Sequence, residues 1–421
     1  LRFLPSLDGN PPVIAAVDMG TSKVCTLVGQ PRSGAIEILG IGMSASQGIR
    51  KGRVVNIERA TYAVRESMSL AMEVAKREPN IVCVAVAGDY ITSINLENEV
   101  ILSRGGREIT KREVDKVVEG TRAQSSTGET RVLHLIPQEF SVDDQHGIAD
   151  PVGMIGSALR ARVHLVTAQE TQIMNLGKCF QQVGIEIAAL AFQPYVAALS
   201  VLTPAEKEAG VLLVDLGGGT TDMAMFYEGS IWYSGIIPLG GEHITSDLAV
   251  GLRTSREEAE KIKLRYGSAF SKYIEPEEII EVKDMGMSSL HTVRRKFVCE
   301  VIEARVREIL AILRGELRST GLGRFLRGGI VLTGGSSQLE GLADFASTAL
   351  KVPVRLGSPE SQNYVGMVQT IASPVFSTVC GLLDYAVSGT GRERFRYHHP
   401  VGPAGKGQKM INWLRDFFMM G

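Results

Sequence analysis

Apolar positions along the chain fall into short runs broken by glycine turns, and one such arrangement occurs twice. The run 13–17 (VIAAV) enters the turn DMGTSK and leaves through 24–28 (VCTLV), the two arms of a strand hairpin. Nearly the same design recurs where 211–214 (VLLV) enters DLGGGTTD and leaves through 223–226 (MAMF). Strand, aspartate, glycine turn, hydroxyls and strand repeat in order, which predicts two related lobes facing one another. A third run, 330–332 (IVL), leads into Gly334 and Gly335, and Ser336 is expected to open a helix whose N-terminus faces an anion or a ribose.

Other segments carry helical signals. In SREEAEKIKLRYG, Ser255 and Glu258 form a capping box, and Glu260 and Lys263 lie one turn apart on one face, placed to grip a ribose and an adenine edge or else to form a solvated ion pair. A second capping box, Thr110 with Glu113, opens a helix through Val117 and Val118 with apolar strands on either side. In HTVRRKFVCEVIEARVREIL, Val298, Val301, Ile302, Ile309 and Leu310 form a core-facing stripe, while Arg294, Arg295, Lys296 and Arg305 are expected to project a basic surface. Segment 388–408 is rich in glycine, proline and charge without sustained periodicity and predicts a tether. Beyond it, Met410, Trp413, Leu414, Phe417 and Phe418 recur at helical spacing, so 409–421 predicts a short amphipathic helix, too short to span a bilayer and suited to lie in its surface.

Chemistry attaches to the repeated turns. Gly20, Gly217, Gly218 and Gly219 let backbone N–H groups approach a phosphate chain because no Cβ intervenes. Thr21, Ser22, Thr220 and Thr221 add hydroxyl donors beside Lys23, and Asp18 and Asp215 are placed to hold magnesium, which keeps several of its waters. No GxxxxGK[ST] motif occurs, and GIGMSA at 40–45 lacks the helix start of a dinucleotide fold.

With 421 residues, 44% hydrophobic and 22% charged, the chain can bury more than one core. A formal net charge of −1 argues against nucleic acid as a partner. Charge is uneven: from 388 to 421 six Lys/Arg oppose Glu393 and Asp416, a net +4, leaving −5 elsewhere. Five scattered cysteines without a CxxC pair suit a reduced cytoplasm, and neither a spanning segment nor a secretion signal is evident.

The order of these elements resembles the superfamily of actin, the heat-shock chaperones and hexokinase: a first phosphate loop, a connecting helix at FQPYVAAL, a second phosphate loop, the Glu260–Lys263 helix, an adenosine loop and a second connecting helix at STVCGLLDY. Within it the chain resembles the FtsA family of bacterial cell-division proteins, through QGIRKGRVVN, RVLHLIPQEFSVDDQHGIADPVGM and RVHLVTA. The resemblance implies an α/β fold of two actin-like lobes with an inserted small α+β subdomain and a C-terminal amphipathic helix. On that pattern 13–88, 167–203 and 374–387 form the core of the first lobe, 89–166 the insert, 204–247 and 328–373 the core of the second lobe, 248–327 its small subdomain, 388–408 the linker and 409–421 the membrane helix. It further implies ATP with magnesium, an actin-like filament, binding of the C-terminal tail of the tubulin-like protein FtsZ near Arg294, Arg295, Lys296 and Arg305, and late division proteins on the insert. Ile136, Pro137 and Phe140 of HLIPQEF either meet those partners or pack the insert's own core. The C-terminal helix would attach the protein to anionic lipid on the cytoplasmic face of the membrane.

Related ATPases place an acidic residue before the proline of the first connecting helix, where it helps position the attacking water. Here Gln193 precedes Pro194. An amide orients water but accepts no proton, which predicts turnover well below the roughly 1–100 per second of kinases. Two alternatives share the core: a phosphotransferase of the sugar-kinase branch, which needs a catalytic aspartate that the sequence does not supply, and a pilus-assembly actin homologue of the PilM type, which would not need the amphipathic tail.

Overall fold

The computed structural model describes residues 11–388 except 104, 126–127 and 287–288. The expected linker from 389 onward and the helix at 409–421 lie outside the described residues.

Two sheets are built to one plan. In the first lobe, Ile14–Met19, Lys23–Arg32 and Ala35–Ala45 form an antiparallel meander, and Ile14–Met19 pairs in parallel with Ile81–Val86, itself parallel to Ala189–Phe192. In the second lobe, Val211–Leu216, Thr221–Tyr227 and Ser230–Ile237 form the same meander, followed on the other side by parallel Ile330–Thr333 and Val354–Leu356. Tyr364–Gly366 adds a sixth strand to the first sheet only. The repeated turns match residue for residue: Asp18 sits opposite Cys25 in one hairpin and Asp215 opposite Asp222 in the other.

The central strands are apolar on both sides because both faces are covered. Ala15, Val17, Val82 and Val84 pack under the helices Ile57–Ala75 and Glu170–Gln182, while their neighbours Ile14, Ala16, Cys83 and Ala85 pack toward Ser377–Ser388. The second sheet divides likewise: Leu212, Val214 and Met223 face the long helix Arg295–Ser319, and Val211, Leu213 and Ala224 face Gln193–Val201. Helices Gln193–Val201 and Ser377–Ser388 therefore connect the lobes. They cross at Gly381, where a Cβ would come within 1.7 Å of the Val196 carbonyl oxygen.

After Val86 the chain leaves the first lobe to build a separate four-stranded sheet, in the order Gln145–Ile148, Thr130–Val142, Ala158–Gln169, Ile91–Ile101, with helix Lys111–Ser125 on one face. Glu113 reaches back to the Thr110 amide at 3.0 Å and opens that helix. Phe140 packs this small core with Ile109, Val117 and Leu159, whereas Ile136 packs against the second lobe and the Pro137 carbonyl accepts from Ser230 at 2.7 Å. The insert thus rests on strand Ser230–Ile237 of the second lobe. Asn95 donates to the Trp232 carbonyl at 3.0 Å, Gln138 to the Ile231 carbonyl at 2.8 Å, and His164 bonds the Ser234 hydroxyl at 2.9 Å. Among the described residues no helix is long and apolar enough to cross a membrane.

Candidate functional site

Both hairpin turns open onto one cleft of about 1170 Å³ between the lobes. Asp18, Gly20, Thr21, Ser22 and Lys23 line one wall; Asp215, Gly217, Gly218, Gly219 and Thr220 line the other; Glu260, Lys263, Gly334, Gly335 and Ser336 close one end, and Gln193 lies at the base. The turns approach closely enough that a Cβ on Gly219 would stand 2.5 Å from the Thr21 hydroxyl oxygen. Glycine at this point is what lets the second turn come so close to the first, with backbone N–H groups open to the cleft.

Backbone bonds lace the turn to its surroundings. The Gly241 and Glu242 amides donate to the Gly217 and Gly218 carbonyls at 3.0 and 2.8 Å, which ties the start of helix Gly241–Gly251 to the second turn. Ser336 donates to the Gly217 carbonyl at 3.0 Å. Contrary to the sequence expectation, Ser336 does not begin an α-helix. It lies in a short 3-10 turn, Gly335–Gln338, and the α-helix Leu342–Leu350 starts after the left-handed Gly341.

Three carboxylates gather at the base. Gln193 donates to Asp215 Oδ2 at 3.0 Å, and Thr378 lies 3.4 Å from the same oxygen. Asp222, directly across the hairpin from Asp215, accepts from Thr220 at 2.7 Å through one oxygen, and its other oxygen is buried without a hydrogen-bond partner among the described residues. Burial, reinforced by Asp215, pushes Asp18 up to about 7, and burial opposed by the Thr220 hydroxyl but aided by Asp215 and Asp18 pushes Asp222 up to about 8. Burial also raises Asp215, against the Gln193 hydrogen bond and the Lys23 charge. Carboxylates that cannot all ionise alone are a donor set that a cation completes. Among the described residues no three carboxyl, imidazole or thiol groups converge tightly enough to ligate a metal directly.

Some expected residues fall elsewhere. Thr221 is fully buried and spends its hydroxyl on the Leu239 carbonyl at 2.8 Å, because strand alternation turns it away from the cleft that Thr220 faces. Lys263 pairs with Glu260 at 2.7 Å and donates to Thr245 at 2.9 Å, and Glu260 also bonds Thr245; the two line the cleft as a braced ion pair. Asp222 was not singled out by sequence reasoning, although its place at the end of DLGGGTTD, seven residues after Asp215 as Cys25 is after Asp18, carried the signal.

The expected basic surface is also rearranged. Arg294 is the exposed last residue of strand Leu290–Arg294 and not part of the helix. Arg295 is drawn inward onto Glu278 at 3.0 Å and the Tyr266 carbonyl at 2.8 Å, and Arg305 clasps Asp247 at 2.6 and 2.9 Å and also pairs with Glu308. Arg294 and Lys296 form no ion pair among the described residues. The lipid-facing set Met410, Trp413, Leu414, Phe417 and Phe418 lies outside the described residues.

Comparison with known proteins agrees with this architecture. The family model described as cell division protein FtsA matches residues 212–381, and the model for the SHS2 domain inserted in FtsA matches 88–167. The cell division protein FtsA of Pseudomonas aeruginosa is 38% identical over 376 residues, covering 89% of each chain. That of Escherichia coli K12 is 34% identical over 418 residues, covering 96% of this chain and 98% of its own. Among solved structures, the PilM-PilN type IV pilus biogenesis complex matches with a TM-score of 0.62 at 15% identity, over 89% of this chain and 98% of that one. MreB5 of Spiroplasma citri bound to ADP matches with 0.55 at 15% identity, over 89% and 96%. At such identities the structural matches speak for the actin-like fold alone, whereas the sequence matches run almost end to end: the chain belongs to the FtsA family of cell division proteins.

Proposed function

We propose that this protein binds ATP with magnesium between its lobes and acts as a slow nucleotide switch that assembles into actin-like filaments. In this reading it ties FtsZ to the cytoplasmic face of the cell membrane and gathers later division proteins through the inserted domain. One observation carries the nucleotide reading: two glycine turns of the same build touch across a single cleft, above the half-buried Asp18 and the buried Asp215 and Asp222, one oxygen of which has no partner among the described residues.

The fit is chemical as well as spatial. Backbone N–H groups of the turns, with the hydroxyls of Thr21 and Ser22 and the ammonium of Lys23, supply donors for a phosphate chain, while Thr220 spends its hydroxyl on Asp222. Asp18, Asp215 and Asp222 would hold magnesium through its waters, and the ion would supply neutralisation of phosphate charge. Gln193, fixed on Asp215, presents an amide that orients water without taking its proton, so hydrolysis rests on positioning alone and is slow. Gly334, Gly335 and Ser336 with Glu260 and Lys263 enclose the nucleoside end.

Fluorescent ATP titrated into wild type and Asp215→Ala, with and without magnesium, tests the site. Wild type should bind tightly only with magnesium, and the variant should lose that dependence with at least a tenfold weaker affinity, an order typical for removal of a group oriented on a metal. Equal binding by both would place the nucleotide elsewhere. Turnover in the range of kinases, roughly 1–100 per second, would refute the switch.

A further inference from the structure

One side chain of the inserted domain bonds the residue that precedes Gln193 at the base of the cleft. His134 lies on the insert strand Thr130–Val142, pairs in register with Val166 inside the insert, and is buried. Its Nε2 accepts the Phe192 amide at 2.8 Å. Phe192 ends the edge strand Ala189–Phe192 of the first-lobe sheet and is the N-cap of helix Gln193–Val201, with no side-chain cap of its own. The next residue is Gln193, whose amide holds Asp215 at 3.0 Å. Around the imidazole stand Tyr195 and Tyr385, one from each connecting helix, edge-on at 5.1 and 5.8 Å.

This constellation is not needed to build the insert, whose core is centred on Phe140, Leu159 and Val117. An edge-strand N–H at this place could have been left to a backbone partner or to water. Instead an imidazole from another domain takes it, and the acceptor role fixes the tautomer with the proton on Nδ1. Burial, reinforced by nearby His164, holds His134 down at about 3, so the ring stays neutral and keeps its acceptor in any cellular condition.

We propose that His134 is a positioning residue through which the inserted domain sets the register of Gln193 on Asp215, so that displacement of the insert is felt at the nucleotide. The proposal rests on the nucleotide reading of the cleft. A small shift of strand Thr130–Val142 moves the acceptor, the Phe192 amide follows, and the Gln193 amide turns relative to the water it orients. Misplacement of this order costs up to about a hundredfold in a positioned reaction.

Two variants and a cycle test it. His134→Phe keeps the ring and removes the acceptor; His134→Gln keeps an acceptor. In His134→Phe, amide exchange at Phe192 should quicken by at least about tenfold, ATP affinity should stay within about twofold, and single-turnover phosphate release should slow by about ten- to a hundredfold. His134→Gln should recover most of both effects. In a Gln193→Ala background the same His134→Phe change should have no further effect on phosphate release, a non-additivity that a merely structural role would not produce. Wild-type phosphate release by His134→Phe, or full additivity with Gln193→Ala, overturns the proposal while leaving the nucleotide site intact. Wild type that releases no phosphate overturns it as well, and wild type that binds no ATP overturns the reading beneath it.

Discussion

Asp222 shows what a single residue adds to the cleft and why its role is hard to see in a string of letters. In the first hairpin the matching position is Cys25, so the duplication that reveals the turns also hides the third carboxylate. The carboxylates of Asp18 and Asp222 are pushed up to about 7 and 8 in the fold, above the usual value of 3.8. The unfolded chain therefore releases these protons first, and stability contributed by the cluster falls as pH rises from about 4 to about 8. Asp222→Asn, which still accepts from Thr220, should melt higher than wild type in chelator by a margin that grows across that window. Added magnesium and ATP should raise the melting temperature of wild type more than that of the variant. A margin that is flat with pH would mean that Asp222 is not strained by its neighbours. Gly334 sets a second limit at this scale: its φ is +84°, and a Cβ there would lie 2.1 Å from Asp215 Oδ1. Gly334→Val should thus lose ATP binding by displacing the Asp215 carboxylate as well as by crowding the nucleoside, and retained affinity in a fluorescent ATP titration would contradict this.

At the scale of elements, the strands, their turns and the capped helices were legible because each leaves a local mark: a short apolar run, glycine after aspartate, or Ser/Thr followed three residues later by Glu. Ser255 caps Arg256–Tyr266 through the Glu258 amide at 3.1 Å, as its spacing implies. What the pattern could not carry was the partner of each charge. Arg294, Arg295, Lys296 and Arg305 look alike in sequence, but Asp247 and Glu278 come from segments 58 and 17 residues away and claim two of them. The basic surface available to an acidic peptide is then Arg294 with Lys296. Arg294→Glu with Lys296→Glu should weaken binding of an FtsZ tail peptide by at least about tenfold, read by fluorescence anisotropy, with melting temperature unchanged. Arg305→Glu, which sets like charges against Asp247 and Glu308, should instead lower the melting temperature by a few degrees, the shift that about 1 kcal/mol produces in a chain of this kind. Peptide affinity unaffected by the first pair would exclude this surface as the docking site.

The whole chain carries two things the sequence presents separately, a two-lobed body and an apolar tip. The docking of the insert on the second lobe was not legible, since Asn95, Gln138 and His164 find their partners, Trp232, Ile231 and Ser234, some 70 to 137 residues away in the chain. The tip lies outside the described residues and rests on the sequence alone, where five large apolar side chains at helical spacing within 409–421 stand out from a tail of net positive charge. Its binding strength follows from simple magnitudes. Each large apolar side chain contributes about 1.5–3 kcal/mol if fully buried in lipid, and each basic residue near anionic lipid about 1 kcal/mol, offset by the ordering of the backbone at about 1–2 kcal/mol per residue. The balance for one copy is modest, so on the proposed reading firm attachment would require several tips presented together on one filament, where each bound tip raises the effective concentration of the next. Vesicles containing anionic lipid should therefore sediment the full chain with ATP far better than without it. Deletion of 409–421, or Trp413→Glu with Phe417→Glu, should abolish sedimentation while fluorescent ATP still binds with wild-type affinity. Undiminished sedimentation of either variant at matched filament content would assign the membrane contact to the body, and ATP-independent sedimentation of wild type would mean that a single tip suffices.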